Sequence, residues 1–170
     1  ISDEEIIIQG LSDLRLLGSV NGKTTTLAGT IQIIGSQSIT LQNFLFVYTI
    51  ALENSTDITI IGTNQDDVID LTLTGSNQVD IQAEDGDDNI TIHGDDGEIA
   101  VAGGAGDDTL NFDFILKTVL SNLNLSYDGG AGGYDSLIIS GGSFADESYK
   151  SGPNYGDGEF ELDGRLIRFT

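Results

Sequence analysis

The residues best equipped for chemistry are Gly103-Gly104-Ala105-Gly106-Asp107-Asp108-Thr109-Leu110-Asn111, which match the nonapeptide pattern G-G-x-G-x-D-x-U-x, U being a large apolar residue. The glycines permit a tight turn whose carbonyls point inward. The sixth-position aspartate adds a carboxylate, and the apolar residue plugs the core of the strand that follows. Hard oxygen donors of this kind suit Ca²⁺ rather than zinc or copper.

Partial copies surround this stretch. Gly62-Thr63-Asn64-Gln65-Asp66-Asp67-Val68-Ile69-Asp70 keeps the first glycine, the aspartate and the apolar residue. Ala83-Glu84-Asp85-Gly86-Asp87-Asp88-Asn89-Ile90-Thr91 keeps the fourth-position glycine, the aspartate and the apolar residue. Gly129-Gly130-Ala131-Gly132-Gly133-Tyr134-Asp135-Ser136-Leu137 fits with one inserted residue. One match would mean little, since Gly and Asp are common in turns. Tandem copies whose first three turns begin at residues 62, 83 and 103, one coil apart, are specific.

Elements must hold these turns in place. Apolar bursts of three to six residues, rich in Ile, Val, Leu and Thr, run from Glu5–Ile8 and Leu14–Leu17 through Leu45–Ile50, Val68–Leu73 and Ile90–Ile92 to Leu137–Ile139. Gly, Ser, Asn or Asp bounds each one, and none sustains a helical i, i+3, i+4 face. Two strands and two turns per coil of about 18–22 residues give a β-solenoid. A β-sandwich is the alternative. Two-residue hairpin signals are nevertheless scarce between bursts, the best being Asn21-Gly22 and Asp163-Gly164. Residues 1–61 read as β-helix-like coils without the motif, as in Ser38-Ile39-Thr40-Leu41-Gln42-Asn43-Phe44, and residues 62–140 as the coils that carry it, which the resemblance given below implies to be a calcium-binding roll. Residues 141–170 complete one continuous domain, with an irregular stretch from Gly141 to Asp157 that holds Pro153. A terminal hairpin follows, in which Glu159 and Glu161 can face Arg168 and Arg165, and it is the natural cap.

The charge sharpens the problem. The 170 residues carry a formal charge of −22, from 28 Asp and Glu against 6 Lys and Arg. No Lys or Arg lies between Lys23 and Lys117, an interval with 16 acidic residues, and aromatics are absent between Tyr48 and Phe112. Such a polyanion is repelled by nucleic acid and by acidic membrane surfaces, and no apolar run is long enough to span a bilayer. Zero cysteines exclude disulfides, thiolate metal sites and thiol catalysis. The opening Ile1-Ser2-Asp3-Glu4-Glu5 lacks Met and the basic start of a signal peptide, which reads as a processed product or an excised segment. Parallel strands stack about 4.8 Å apart, so superposed aspartates repel by roughly 1 kcal/mol in water and about 3.5 kcal/mol at an effective dielectric near 20. Bound divalent cations remove that repulsion.

From about Gly62 to Ile139 the chain resembles the RTX, or haemolysin-type, calcium-binding repeat family. The resemblance implies a right-handed parallel β-roll with Ca²⁺ between successive turns on one edge. It implies carboxylate ligands at Asp67, Asp88, Asp108 and Asp135, with Asp85 nearby, and turn ligands at Gly62, Asn64, Gly86, Gly104, Gly106 and Gly130. Asp95 and Asp96 fall on the opposite edge, facing the Gly75-Ser76-Asn77-Gln78 turn, which has no carboxylate. The longer coil from Asn111 to Asp128 disturbs the spacing to Asp135. The family also implies secretion, with folding switched on by extracellular calcium.

Catalysis has little to use. His93 is the sole histidine and reads as an exposed turn residue, and no G-x-S-x-G elbow is present. Paired carboxylates could imitate a glycosidase pair, but solvated or metal-bound turn aspartates account for them. Thr24-Thr25-Thr26 and Thr72/Thr74 do not recur at coil spacing, which speaks against an ice-binding ladder, and Asn54-Ser55-Thr56 fits a glycosylation sequon. The expectation is a non-enzymatic, secreted structural, adhesive or self-assembling protein whose partners are calcium, further copies or neighbouring domains of an exoprotein. The alternative is a calcium module appended to a secreted polysaccharide lyase or epimerase, for which residues 1–61 offer only Arg15 and Lys23 to acidic sugars.

Overall fold

Alternating apolar residues only three to six long cannot bury themselves singly, and here they become strands of an all-β solenoid. The computed structural model describes residues 5–18, 25–27, 29–46, 49–75, 77–94, 96–115, 122–152, 154 and 156–170, without the side chains of residues 25–27, 45, 46 and 77. The Asn21-Gly22 turn signal, Lys23, Thr24, Ser76, Asp95, Lys117 and Pro153 lie outside the described residues, as do residues 1–4. No helix occurs among the described residues.

One seven-stranded sheet stacks β1 (Glu5–Gln9), β4 (Thr30–Ile34), β7 (Thr49–Glu53), β9 (Val68–Thr74), β11 (Asn89–His93), β13 (Thr109–Phe114) and β15 (Ser136–Gly141), each parallel to the next. The facing sheet stacks β2 (Ser12–Leu17), β5 (Gln37–Gln42), β8 (Thr56–Ile61), β10 (Asn77–Asp85), β12 (Gly97–Ala105) and β14 (Leu123–Gly130), again parallel. Among the described residues a third pair, β3 (Thr25–Leu27) with β6 (Phe44–Phe46), occurs only in the early coils. The burst Leu45–Ile50 therefore splits between β6 and β7. From β8 onward the acidic turns stand where that third side was.

Register turns alternation into a core. Ile31, Ile50, Leu71, Ile92 and Phe112 superpose in one sheet, and Ile39, Ile58, Val79, Ile99 and Leu125 in the other, all buried. The coils keep the spacing read from the sequence: Leu71 faces Ile92 and Ile92 faces Phe112. The longer coil is also real, since Phe112 next meets Ile139 and Ile99 meets Leu125. Where the first sheet turns into the second, buried Ser36 and Ser55 serve the bent backbone. Ser55 Oγ shares its one proton between the Ile33 and Glu53 carbonyls and accepts from the Ser36 amide. The Asn54-Ser55-Thr56 sequon is thus part of a corner.

The C-terminal stretch differs from expectation in two respects. Residues 141–157 are not irregular throughout, because β16 (Glu147–Ser151) pairs antiparallel with β17 (Gly158–Leu162). Its residues are all exposed, so no apolar alternation marked it. The hairpin of β17 and β18 (Arg165–Phe169) forms, with β18 parallel to β14, and Arg168 Nε lies 3.2 Å from Glu159 Oε2. Glu161, however, faces Leu166 rather than Arg165. The two-residue Asp163-Gly164 turn sets Leu162 against Arg165 and so puts Arg165 on the inner face, buried beside the rings of Phe114 and Phe144.

Candidate metal centre

The strands run on into the Gly/Asp motif. β10 ends at Asp85, β12 at Ala105 and β14 at Gly130, so the first motif position still points into the solenoid. Gly62, Ala83, Gly103 and Gly129 all occupy this position and are buried. Smallness is required there because the sixth-position carboxylate folds beneath its own turn. A Cβ on Gly62 would lie 2.8 Å from Asp67 Oδ2, one on Gly103 2.4 Å from Asp108 Oδ2, and one on Gly129 2.5 Å from Asp135 Oδ2. Asp67, Asp88 and Asp108 are consequently buried.

Two ladders of aspartate–amide hydrogen bonds link successive turns. In the inner ladder Asp88 Oδ1 accepts from the Asp67 amide at 2.7 Å, Asp108 Oδ1 from the Asp88 amide at 2.9 Å, and Asp135 Oδ1 from the Asp108 amide at 3.0 Å. Asp135 therefore joins the series despite the irregular spacing, although it is exposed. The outer ladder runs the other way. Asp66 Oδ1 accepts from the Asp87 amide, Asp87 Oδ1 from the Asp107 amide, and Asp107 Oδ1 from the Tyr134 amide. Its signal is the repeated Asp-Asp pair at 66–67, 87–88 and 107–108, whose first member the sequence motif assigns no role.

The second carboxylate oxygens separate the sites. Asp67 Oδ2 accepts from the Thr63 amide at 2.8 Å and from its hydroxyl at 3.1 Å. Asp88 Oδ2 and Asp108 Oδ2 are buried with no hydrogen-bond partner among the described residues, in residues 2 % and 0 % exposed. A buried carboxylate oxygen without a partner is costly. Burial accordingly pushes the Asp88 carboxyl up to about 7, helped by the charges of Asp108, Asp67 and Asp66 and opposed by the hydrogen bond from the Asp67 amide. Asp108 is raised for the same reason, with Asp135, Asp87 and Asp107 as the neighbouring charges. Burial also raises the Tyr127 hydroxyl, which donates to the Asp108 carbonyl. These two oxygens form the part of the site that the protein leaves unsatisfied.

The remaining candidates divide. Gly104 stacks under Gly130, and Gly86 under Gly106, and the carboxylate beside Gly106 is that of Asp87, in the outer ladder. The Gly104 carbonyl already accepts from the Ala131 amide at 2.6 Å. Asn64 and Asp85 are exposed and bound to each other, Asn64 Nδ2 donating to Asp85 Oδ2 at 3.1 Å. On the opposite edge Asp96 Oδ1 accepts from the Gly97 and Asn122 amides. His93 is not in a turn. It ends β11 half-buried, with Nδ1 3.2 Å from Asp113 Oδ2 and Nε2 3.6 Å from Asp70 Oδ1.

The second motif position carries its own test. Gly104 and Gly130 have φ of 120° and 99°, and the residue in register with them one coil earlier is Glu84, held at φ 81°. A side chain there is strained. Glu84→Gly is expected to raise stability by about 1 kcal/mol in urea titration, and a loss of stability would refute that reading of the turn.

Comparison of the chain with protein-family models, with curated proteins and with solved structures finds no match.

Proposed function

We propose that this chain is a non-enzymatic, calcium-binding β-solenoid of the extracellular space, with a structural or adhesive role that includes association with further copies or with neighbouring exoprotein domains. The observation that carries the proposal is the pair of buried, partnerless oxygens Asp88 Oδ2 and Asp108 Oδ2, stacked one coil apart. An ion held between the turns supplies what these oxygens lack. No three His, Asp or Glu side chains converge on one point among the described residues, so turn carbonyls must complete each shell, and an all-oxygen set favours Ca²⁺. Asp88 and Asp108 are the central ligands, Asp135 extends the series, and Asp67, already served by Thr63, is the weakest member. Calcium then acts as a folding cofactor, since it binds only where the turns are stacked.

Thermal melting followed by circular dichroism, with calcium and with a chelator, tests this. Calcium about a hundredfold above Kd stabilises by ~2.7 kcal/mol per site. For a chain of this length that is a rise of roughly 5–10 °C per site. Superimposable curves in calcium and chelator would sink the proposal.

A further inference from the structure

The two sheets end unevenly. The first stops at β15, the seventh strand of its stack, while β18 fills the matching seventh place in the second sheet. β17 and β16 then carry the second sheet two strands further, with no strand opposite them in the first among the described residues. Among the described residues no strand pairs with the outer edge of β15. The space left beside that edge is a cavity of about 660 Å³. Leu137, Ile139 and Phe144 line one side of it, and Tyr149, Phe160 and Glu147 the other.

Register explains why the overhang is apolar. Tyr149 faces Phe160 across β16 and β17, and Phe160 faces Ile167, which superposes on Leu125 of the core. The overhang thus continues the inner face of the solenoid, with ring centroids 5.1 Å apart for Tyr149 and Phe160. Tyr149 is nevertheless 58 % exposed. Two missing strands at about 4.8 Å spacing measure the gap.

We propose that this slot captures an extended segment of another protein, which adds as a strand to β15 and sets alternate apolar side chains against Tyr149 and Phe160. A second copy stacked end to end does not fit, because its β2 would need the place β17 already holds. Charge selects among strands. Among the described residues Glu147 is the charged one lining the slot, and the chain as a whole carries −22, so the occupant is basic at its flanks. The inference rests on the uneven sheets and not on the calcium reading, and each can fail alone.

The test is fluorescence anisotropy of the full chain, calcium-saturated, with a labelled peptide Lys-Arg-Val-Thr-Val-Thr-Val-Lys. We expect saturable binding that weakens at least about tenfold when alternate peptide amides are N-methylated, since strand addition needs them. Tyr149→Ala on the exposed overhang is expected to weaken binding about tenfold. Ile138→Thr, on the outward face of β15, should leave it unchanged, and circular dichroism checks that both variants fold. Absence of binding, equal binding of the methylated peptide, or equal binding of a glutamate-flanked version would overturn the proposal. So would stronger binding of a peptide copying residues 5–17, which would make a second copy the occupant.

Discussion

Gly104→Ala is expected to cost more than about 4 kcal/mol, enough to leave much of the chain unfolded in far-UV circular dichroism even with calcium. At φ 120° the backbone of Gly104 runs where an L side chain is strained, and a Cβ there would lie 1.6 Å from the carbonyl oxygen of Glu84. No rotamer relieves this clash, because both atoms belong to backbones one coil apart. Moving either means separating β10 from β12, whose registered pair Glu84 and Gly104 sits at the clash. Gly132→Ala makes the comparison. Gly132 also has a positive φ, 91°, but a Cβ there meets nothing within 4 Å, so about 1–2 kcal/mol of backbone strain is the whole expected cost. Equal effects at the two sites would contradict the stacked-turn geometry.

The second large effect is a pH dependence of inverted sign. Burial holds the folded Asp88 carboxyl at about 7, against 3.8 for the ordinary group. A carboxyl raised in this way binds its proton more tightly in the folded chain. Its contribution is full below the ordinary value and is lost as pH rises through about 7. For Asp88 alone that is on the order of 4 kcal/mol, and Asp108 shifts in the same direction. In chelator, the urea midpoint should therefore fall between about pH 5 and about pH 8, opposite to ordinary acid denaturation. Asp88→Asn keeps an oxygen for the Asp67 amide and removes the buried charge. It should stabilise the metal-free chain at about pH 8 by roughly 2–4 kcal/mol, flatten the pH dependence, and weaken the response to calcium. A wild-type midpoint that is flat or rises with pH would count against the buried charge.

These effects show how far the residues speak for themselves. Strand-sized bursts of β-branched residues at coil spacing were enough to specify parallel stacking, since no helical face competed and few hairpin turns interrupted them. Asp67, Asp88 and Asp108 were legible as one edge because their turns recur every 20 or 21 residues. Their burial was not legible, because an aspartate beside glycines reads as a solvated turn residue. Only the register shows that Gly103 and Gly129 are small so that Asp108 and Asp135 can fold under them. Nor could the sequence tell Asp67 from Asp88. The difference is the hydroxyl and amide of Thr63, which satisfy one carboxylate and have no counterpart at Glu84 or Gly104. β16 escaped notice because an exposed edge strand needs no apolar alternation. Pairing by charge puts Arg165 opposite Glu161, but the phase of the two-residue turn sets it opposite Leu162 on the inner face.

The most direct test of the calcium reading is long-wavelength anomalous diffraction from crystals of the chain grown in calcium. Anomalous peaks should lie between successive turns, within about 2.3–2.6 Å of Asp88 Oδ2 and Asp108 Oδ2. A map without peaks there, in which both oxygens instead contact protein or water, would contradict it.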